Sequence, residues 1–249
     1  MPEPAGEVSD VGPEHIALLL ETEPEVVSFH FGLPEAEIVR ALKSAGIFIL
    51  SSATTVAEAR LLAQRGVDAI IAQGSEAGGH RATFTDVSMS MQPGLFSLLP
   101  QVVDAVRVPV VAAGGVADGR TAAAAFMLGA SAVQVGTAFL RCEEAEVRDE
   151  HRAALAEADD ACTVVTDVIS GRPCRYIRNK LIDDLVASGL KPVPVPAQLS
   201  LTQRLSDTGN REWTALTSGQ SAALARATKA AELIERLADE TTRRLGAFI

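Results

Sequence analysis

The residue types best able to do chemistry lie in three short glycine-bearing stretches. The first is Ala72-Gln73-Gly74-Ser75-Glu76-Ala77-Gly78-Gly79-His80. An imidazole moves protons near neutral pH. Adjacent glycines let backbone approach a ligand closely, because no Cβ intervenes. His80 is thus a candidate proton-handling group, and a loop histidine with a satisfied hydrogen bond is the competing reading. The second stretch runs from Pro109 to Arg120, where Gly114 and Gly115 follow an apolar run and precede a helical segment. Such a turn offers backbone N–H groups to a phosphate, although a tight turn needing positive φ would use the same residues. The third is Gln134-Val135-Gly136-Thr137-Ala138-Phe139-Leu140, with backbone and hydroxyl hydrogen bonds to donate. Gly115 and Gly136 are one βα unit apart, as in the phosphate sites of parallel barrels. His30, at the end of the first apolar run, is a second candidate, with a strand-end histidine bonded to a carbonyl equally open. His15 and His151 sit in polar helical contexts and receive no role, and Arg175, Arg178 and Lys180 read as a solvated or helix-capping basic cluster.

These stretches must be held by the elements around them. Apolar runs of strand length at 26–32, 47–50, 68–73, 109–113 and 132–135 alternate with helix-period segments at 35–45, 56–65, 95–106 and 121–128. Thr54 or Thr55 can cap the second of those helices, and Gly46, Gly66 and Gly129 stand where helix-ending glycines belong. Strands apolar on both faces and joined by helices are βαβ units of a parallel sheet, either a barrel or a doubly wound sheet. The texture changes after Leu140. Residues 143–161 are charged, Ala-rich and read as helical, and 189–200 carry Pro192, Pro194 and Pro196 and read as an extended linker. Residues 211–245 read as one or two helices with an apolar stripe of Leu224, Ala227, Ala231, Ile234 and Leu237. The expected division is a partial barrel over 1–142 and a mostly helical C-terminal extension, packed on it, over 143–249.

With 249 residues, 47% of them hydrophobic, the chain can bury a sizeable core. A net charge of −10 disfavours nucleic acid and anionic membranes as partners. Cys142, Cys162 and Cys174 match neither a disulfide framework nor a zinc site, so no metal is expected and a reducing cytoplasm is the simple reading. No signal peptide or membrane-length apolar run is visible.

Taken together, SFHFGLP, QGSEAGGH, AAGGVADGR, VQVGTAFL, SGRPCRYIRNK and LTSGQSA resemble the nitronate monooxygenase (2-nitropropane dioxygenase) family of FMN-dependent TIM-barrel oxidoreductases, over nearly the whole chain. The resemblance implies a (β/α)8 barrel with FMN held at its mouth. It makes Gln73, Gly78 and Gly79 flavin contacts, Gly114 and Gly115 phosphate-loop residues, and Gln134, Val135, Gly136 and Thr137 the second half of the phosphate cradle. His80 matches the family's active-site histidine, which would hydrogen-bond an anionic nitro group or take a proton from a neutral nitroalkane. The implied reaction is oxidation of alkyl nitronates with dioxygen. Two departures stand out. Ala82 replaces a frequent family glycine, and about three βα units expected before the first strand are not in the sequence. Five strands where eight are needed would leave two sheet edges unpaired, so a fragment or an internal start is expected. Two other functions fit: an NAD(P)H-dependent FMN reductase of enoyl thioesters or quinones, which shares EAGGH and the paired glycines, and a non-catalytic remnant.

Overall fold

The computed structural model describes residues 12–206 and 209–247. Its strands are β1 (Val26–Phe29), β2 (Phe48–Ala53), β3 (Ala69–Gln73), β4 (Gly79–His80), β5 (Val110–Ala113), β6 (Ala132–Gln134), β7 (Thr163–Thr166) and β8 (Cys174–Ile177). Its helices are α1 (Pro13–Thr22), α2 (Ala36–Ser44), α3 (Val56–Gln64), α4 (Leu95–Ala105), α5 (Gly119–Met127), α6 (Asp149–Ala156), α7 (Lys180–Ala187), α8 (Ala197–Ser206) and α9 (Ala230–Gly246). The chain forms two compact units interleaved in sequence. The first takes Met1–Ser75, Ala82–Ala113 and Ala125–Gln134; the second takes Glu76–Arg81, Gly114–Ala124 and Val135–Ile249.

The first unit is the α/β layer that the apolar runs anticipate. Its five strands are all parallel, in the order β1-β2-β3-β5-β6. Among the described residues spatial order follows chain order without a reversal or topological switch point, and the sheet is of the barrel kind rather than the doubly wound kind. β3 is buried along its whole length, which explains why Ala69-Ile70-Ile71-Ala72-Gln73 reads as apolar on both faces. Leu62 of α3 and Leu98, Leu99 and Val102 of α4 are buried, with α3 and α4 lying against β2 and β3. Thr55 starts α3 by accepting from the Glu58 N–H at 3.2 Å. Thr54, the alternative cap, bonds the Glu58 carboxylate instead, through its N–H and its hydroxyl, both at 2.7 Å. Among the described residues β1 and β6 are the edges of this sheet, each bonded to one neighbour.

The second unit departs from the mostly helical extension read from the sequence. It contains α6 to α9, but also an antiparallel sheet in the order β4-β8-β7. The units also cut across the 1–142/143–249 division, because Glu76–Arg81 and Gly114–Ala124 belong with the C-terminal residues. The proline-bearing stretch is shorter than expected: after Pro196 the chain enters α8 at Ala197. The stripe assigned to 211–245 is out of phase. α9 starts only at Ala230, its buried residues are Leu233 and Thr241, and Ile234 is 57% exposed. Leu237, four residues after Leu233, does pack on the cluster of Ala117, Ala138, Cys142 and Leu233. Leu224 lies outside the helix, in a 3-10 turn.

Candidate functional site

His80 is a strand residue. Gly79 and His80 form the short edge strand β4, pairing with Arg175 and Cys174 of β8, and the next N–H, Arg81, donates to the Pro173 carbonyl at 2.8 Å. Backbone pairing on both sides of the ring thus sets its direction. Its Nε2 lies 2.9 Å from Ser170 Oγ, on a fully buried serine. Burial, and then the Arg172 guanidinium, hold the imidazole pKa below its ordinary 6.5. A ring neutral at pH 7 can accept a proton or share a hydrogen bond.

The glycines around it serve different ends. A Cβ at Gly78 would lie 2.4 Å from Gly219 N and 2.5 Å from Ser218 C, so the close approach here is by the protein's own backbone. Gly79 and Gly115 have φ of +78° and +73°, which only glycine adopts readily. A Cβ at Gly115 would make ordinary contact with Glu76, and one at Gly79 would meet nothing within 4 Å. Gly114, at φ +101°, makes the turn with Gly115. Gly136 has an unremarkable φ of −111°, and a Cβ on it would meet nothing within 4 Å. Neither backbone geometry nor packing therefore demands glycine at 136. Val135 packs on the cluster around Ala117 and Leu233. The Thr137 hydroxyl oxygen accepts from Gly219 N–H at 2.8 Å.

One segment that carried no assigned role joins these pieces within the second unit. Residues 216–220 run beside β8, where Ile177 N–H donates to the Leu216 carbonyl at 2.8 Å and Ser218 N–H to the Arg175 carbonyl at 3.3 Å. Gln220 N–H then donates to the Glu76 carbonyl at 2.9 Å, and Gly219 reaches Thr137. His151 anchors the same segment by donating Nε2–H to the Thr217 carbonyl at 3.0 Å. Only the heptapeptide LTSGQSA, as part of a resemblance, pointed to this segment; its composition carries no local signal. The basic cluster separates: Arg178 and Lys180 make surface pairs with Asp183 and Asp184, while Arg175 is buried in β8 with Nη1 donating to Thr163 at 3.1 Å. Burial lowers the Arg175 pKa, with Glu76 opposing.

Two predicted contacts, Gln73 and Gln134, end strands of the first unit. Gln73 is buried, with Oε1 accepting from Ala82 N–H at 2.9 Å, and Gln134 is exposed at the tip of β6. His30 lies in the same unit, exposed, with Nδ1 3.4 Å from Ser52 Oγ and its ring edge-on to Phe31. Cys142, Cys162 and Cys174 are free thiols. Among the described residues no group of three or more His, Cys, Asp or Glu could hold a metal ion, and no helix is long and apolar enough to cross a membrane.

The family model for nitronate monooxygenase matches residues 6–240. A nitronate monooxygenase of Pseudomonas aeruginosa is 43% identical over 233 residues, which cover 92% of this chain and 66% of that protein. The probable nitronate monooxygenase of Staphylococcus haemolyticus is 42% identical over 231 residues, covering 90% of this chain and 65% of its own length. This chain therefore spans about two thirds of the curated relatives it matches. The crystal structure of nitroalkane oxidase from Streptomyces ansochromogenes superposes with a TM-score of 0.91 at 39% identity, covering 100% of this chain and 73% of that one. With the match extending over both compact units, the chain belongs to the nitronate monooxygenase family.

Proposed function

We propose that this chain carries the flavin-holding and proton-handling machinery of an FMN-dependent oxidoreductase that oxidises alkyl nitronates with dioxygen. One observation carries the reading furthest. A single unit brings together His80, the Gly114–Gly115 turn and the Gly136–Thr137 turn, tied through Glu76, Ser218 and Gly219. Gly136 supports a ligand there, because a glycine with ordinary φ and empty surroundings has no internal reason to be glycine. In this reading the backbone N–H groups of Gly114, Gly115, Gly136 and Thr137 hold the phosphate, and Gly79 admits the flavin beside the imidazole. Gln73, Gly78, Gln134 and Val135 are flavin contacts on family resemblance alone. The flavin would supply the electron acceptance that nitronate oxidation needs and that no side chain offers. His80 removes the α-proton of a neutral nitroalkane, leaving the electron pair on the nitronate, and the protonated ring then hydrogen-bonds the nitro oxygens of the anion.

The test is oxygen uptake by the protein supplied with FMN and a small alkyl nitronate. Uptake above an FMN-only control, reduced in His80→Ala, is expected. Absence of uptake by flavin-loaded protein contradicts the assignment, and anaerobic bleaching of its flavin by NADH would favour a reductase instead.

A further inference from the structure

We infer that Ser170 sets the tautomer of His80, placing the ring proton on Nε2 and the basic lone pair on Nδ1. The sense of the hydrogen bonds follows from what each partner can do. Ser170 Oγ lies 2.9 Å from His80 Nε2, 2.9 Å from the Arg172 carbonyl oxygen and 3.4 Å from Arg172 N. A carbonyl only accepts, and a serine hydroxyl has one proton to give. That proton goes to the Arg172 carbonyl. Ser170 Oγ then meets His80 and the Arg172 N–H with lone pairs, so His80 Nε2 must bring a proton to the contact. The reverse arrangement would leave two buried acceptors facing each other at 2.9 Å. Tyr176, whose hydroxyl also neighbours Ser170, can both give and accept and imposes no sense of its own.

The geometry that enforces this is rigid. Ser170 is fully buried, and the turn returning the Arg172 carbonyl to it passes through Gly171, at φ +80°. A Cβ on Gly171 would lie 2.1 Å from the Val193 carbonyl oxygen, so that turn admits only glycine. On the other side, β4–β8 pairing sets His80 opposite Cys174, four residues from Ser170.

The chemical meaning is specific. A proton removed from a substrate carbon goes to Nδ1, and its bonding pair stays on the substrate as the nitronate. The imidazolium keeps its Nε2–H on Ser170, and the relay ends at the Arg172 carbonyl, which cannot take a proton onward. Ser170 is thus a positioning residue. Its catalytic meaning rests on the role proposed for His80, but the tautomer is a property of the chain alone and is measured without flavin or substrate.

The experiment is nitrogen NMR of the full chain labelled at histidine, with His80 assigned through His80→Gln. The expected spectrum above the ring's pKa has a protonated Nε2 and an unprotonated Nδ1, with a slowly exchanging Nε2 proton. Ser170→Ala, which only removes atoms, should shift the tautomer ratio or speed that proton's exchange by about tenfold, the size of one lost hydrogen bond. A wild-type spectrum with the proton on Nδ1 overturns the inference, and so does a folded Ser170→Ala protein with unchanged ratio and exchange. The wild-type spectrum decides on its own should the variant fold poorly. Loss of nitronate turnover with the Nε2–H spectrum intact would count against the proposed function and leave the tautomer standing.

Discussion

The proton transfer proposed for His80 depends on a ring kept uncharged by its surroundings. Burial and the Arg172 guanidinium both disfavour the imidazolium, so the folded-state pKa lies below 6.5. The kcat/KM for a neutral nitroalkane should therefore fall with acidification only below pH 6.5, and Arg172→Gln should move that limb upward. His80→Asn should lower kcat/KM for the nitroalkane by about 10²–10⁴-fold, with a smaller loss on the preformed nitronate, which has already lost its proton. A pH profile of each substrate with each variant checks this. The glycines separate structure from binding. Gly78→Ala forces a methyl into the Ser218–Gly219 backbone and should cost about 1–3 kcal/mol of stability. Gly136→Ala meets no neighbour and should keep its melting temperature while weakening FMN binding. Calorimetry beside FMN titration distinguishes the two. At this scale His80 and the paired glycines stand out in the sequence as candidates, because imidazole and glycine have properties that survive without context. Ser170, Gly219 and Thr217 were not, since a serine or glycine gains meaning only from what folding brings beside it.

The helices and strands of the first unit were legible almost throughout, because apolar periodicity and helix-ending glycines are local signals. β7 and β8 were not. Thr163-Val164-Val165-Thr166 and Cys174-Arg175-Tyr176-Ile177 are four-residue strands stabilised by pairing with each other and, for β8, with the two residues of β4. Nothing local distinguishes Cys-Arg-Tyr-Ile from a loop, and the glycine turn at 171 lies in a stretch that reads as irregular. The loop following His80 has a comparable hidden support. Buried Glu58 on α3 accepts from Thr83 Oγ1 and Phe84 N–H at 2.9 Å, from Thr85 Oγ1 at 2.9 Å and from Thr85 N–H at 3.2 Å, besides Thr54. Glu58→Gln would turn an amide N–H₂ toward donors that need an acceptor. It should cost about 3 kcal/mol and raise hydrogen exchange at Phe84 and Thr85 before the rest of the sheet. Unchanged exchange there would contradict the role given to Glu58.

For the molecule as a whole, buried titratable groups bound the pH range of stability. His80 and His151 both have folded-state pKa values below 6.5, each chiefly through burial. Below pH 6.5 the unfolded chain binds protons that the folded chain refuses, so stability falls as pH drops toward those folded values. Burial pushes the Cys174 thiol from 9.0 to about 12, and it raises the Tyr176 phenol as well. These groups ionise more readily once unfolded, so stability also falls as pH rises above 9. Denaturant midpoints across the pH range should form a plateau between those limits, and Cys174→Ala should soften the alkaline decline. The interleaving of the two units was not legible, because Glu76–Arg81 and Gly114–Ala124 join the C-terminal residues through contacts distant in sequence.

The central claim is that strand-tip glycines beside His80 hold a flavin. The absorption spectrum of the purified protein, taken before and after heat denaturation, tests it most directly. The predicted result is a yellow protein with flavin bands that releases FMN on unfolding, or a colourless one that takes up one added FMN per chain. A colourless protein with no affinity for FMN would contradict it.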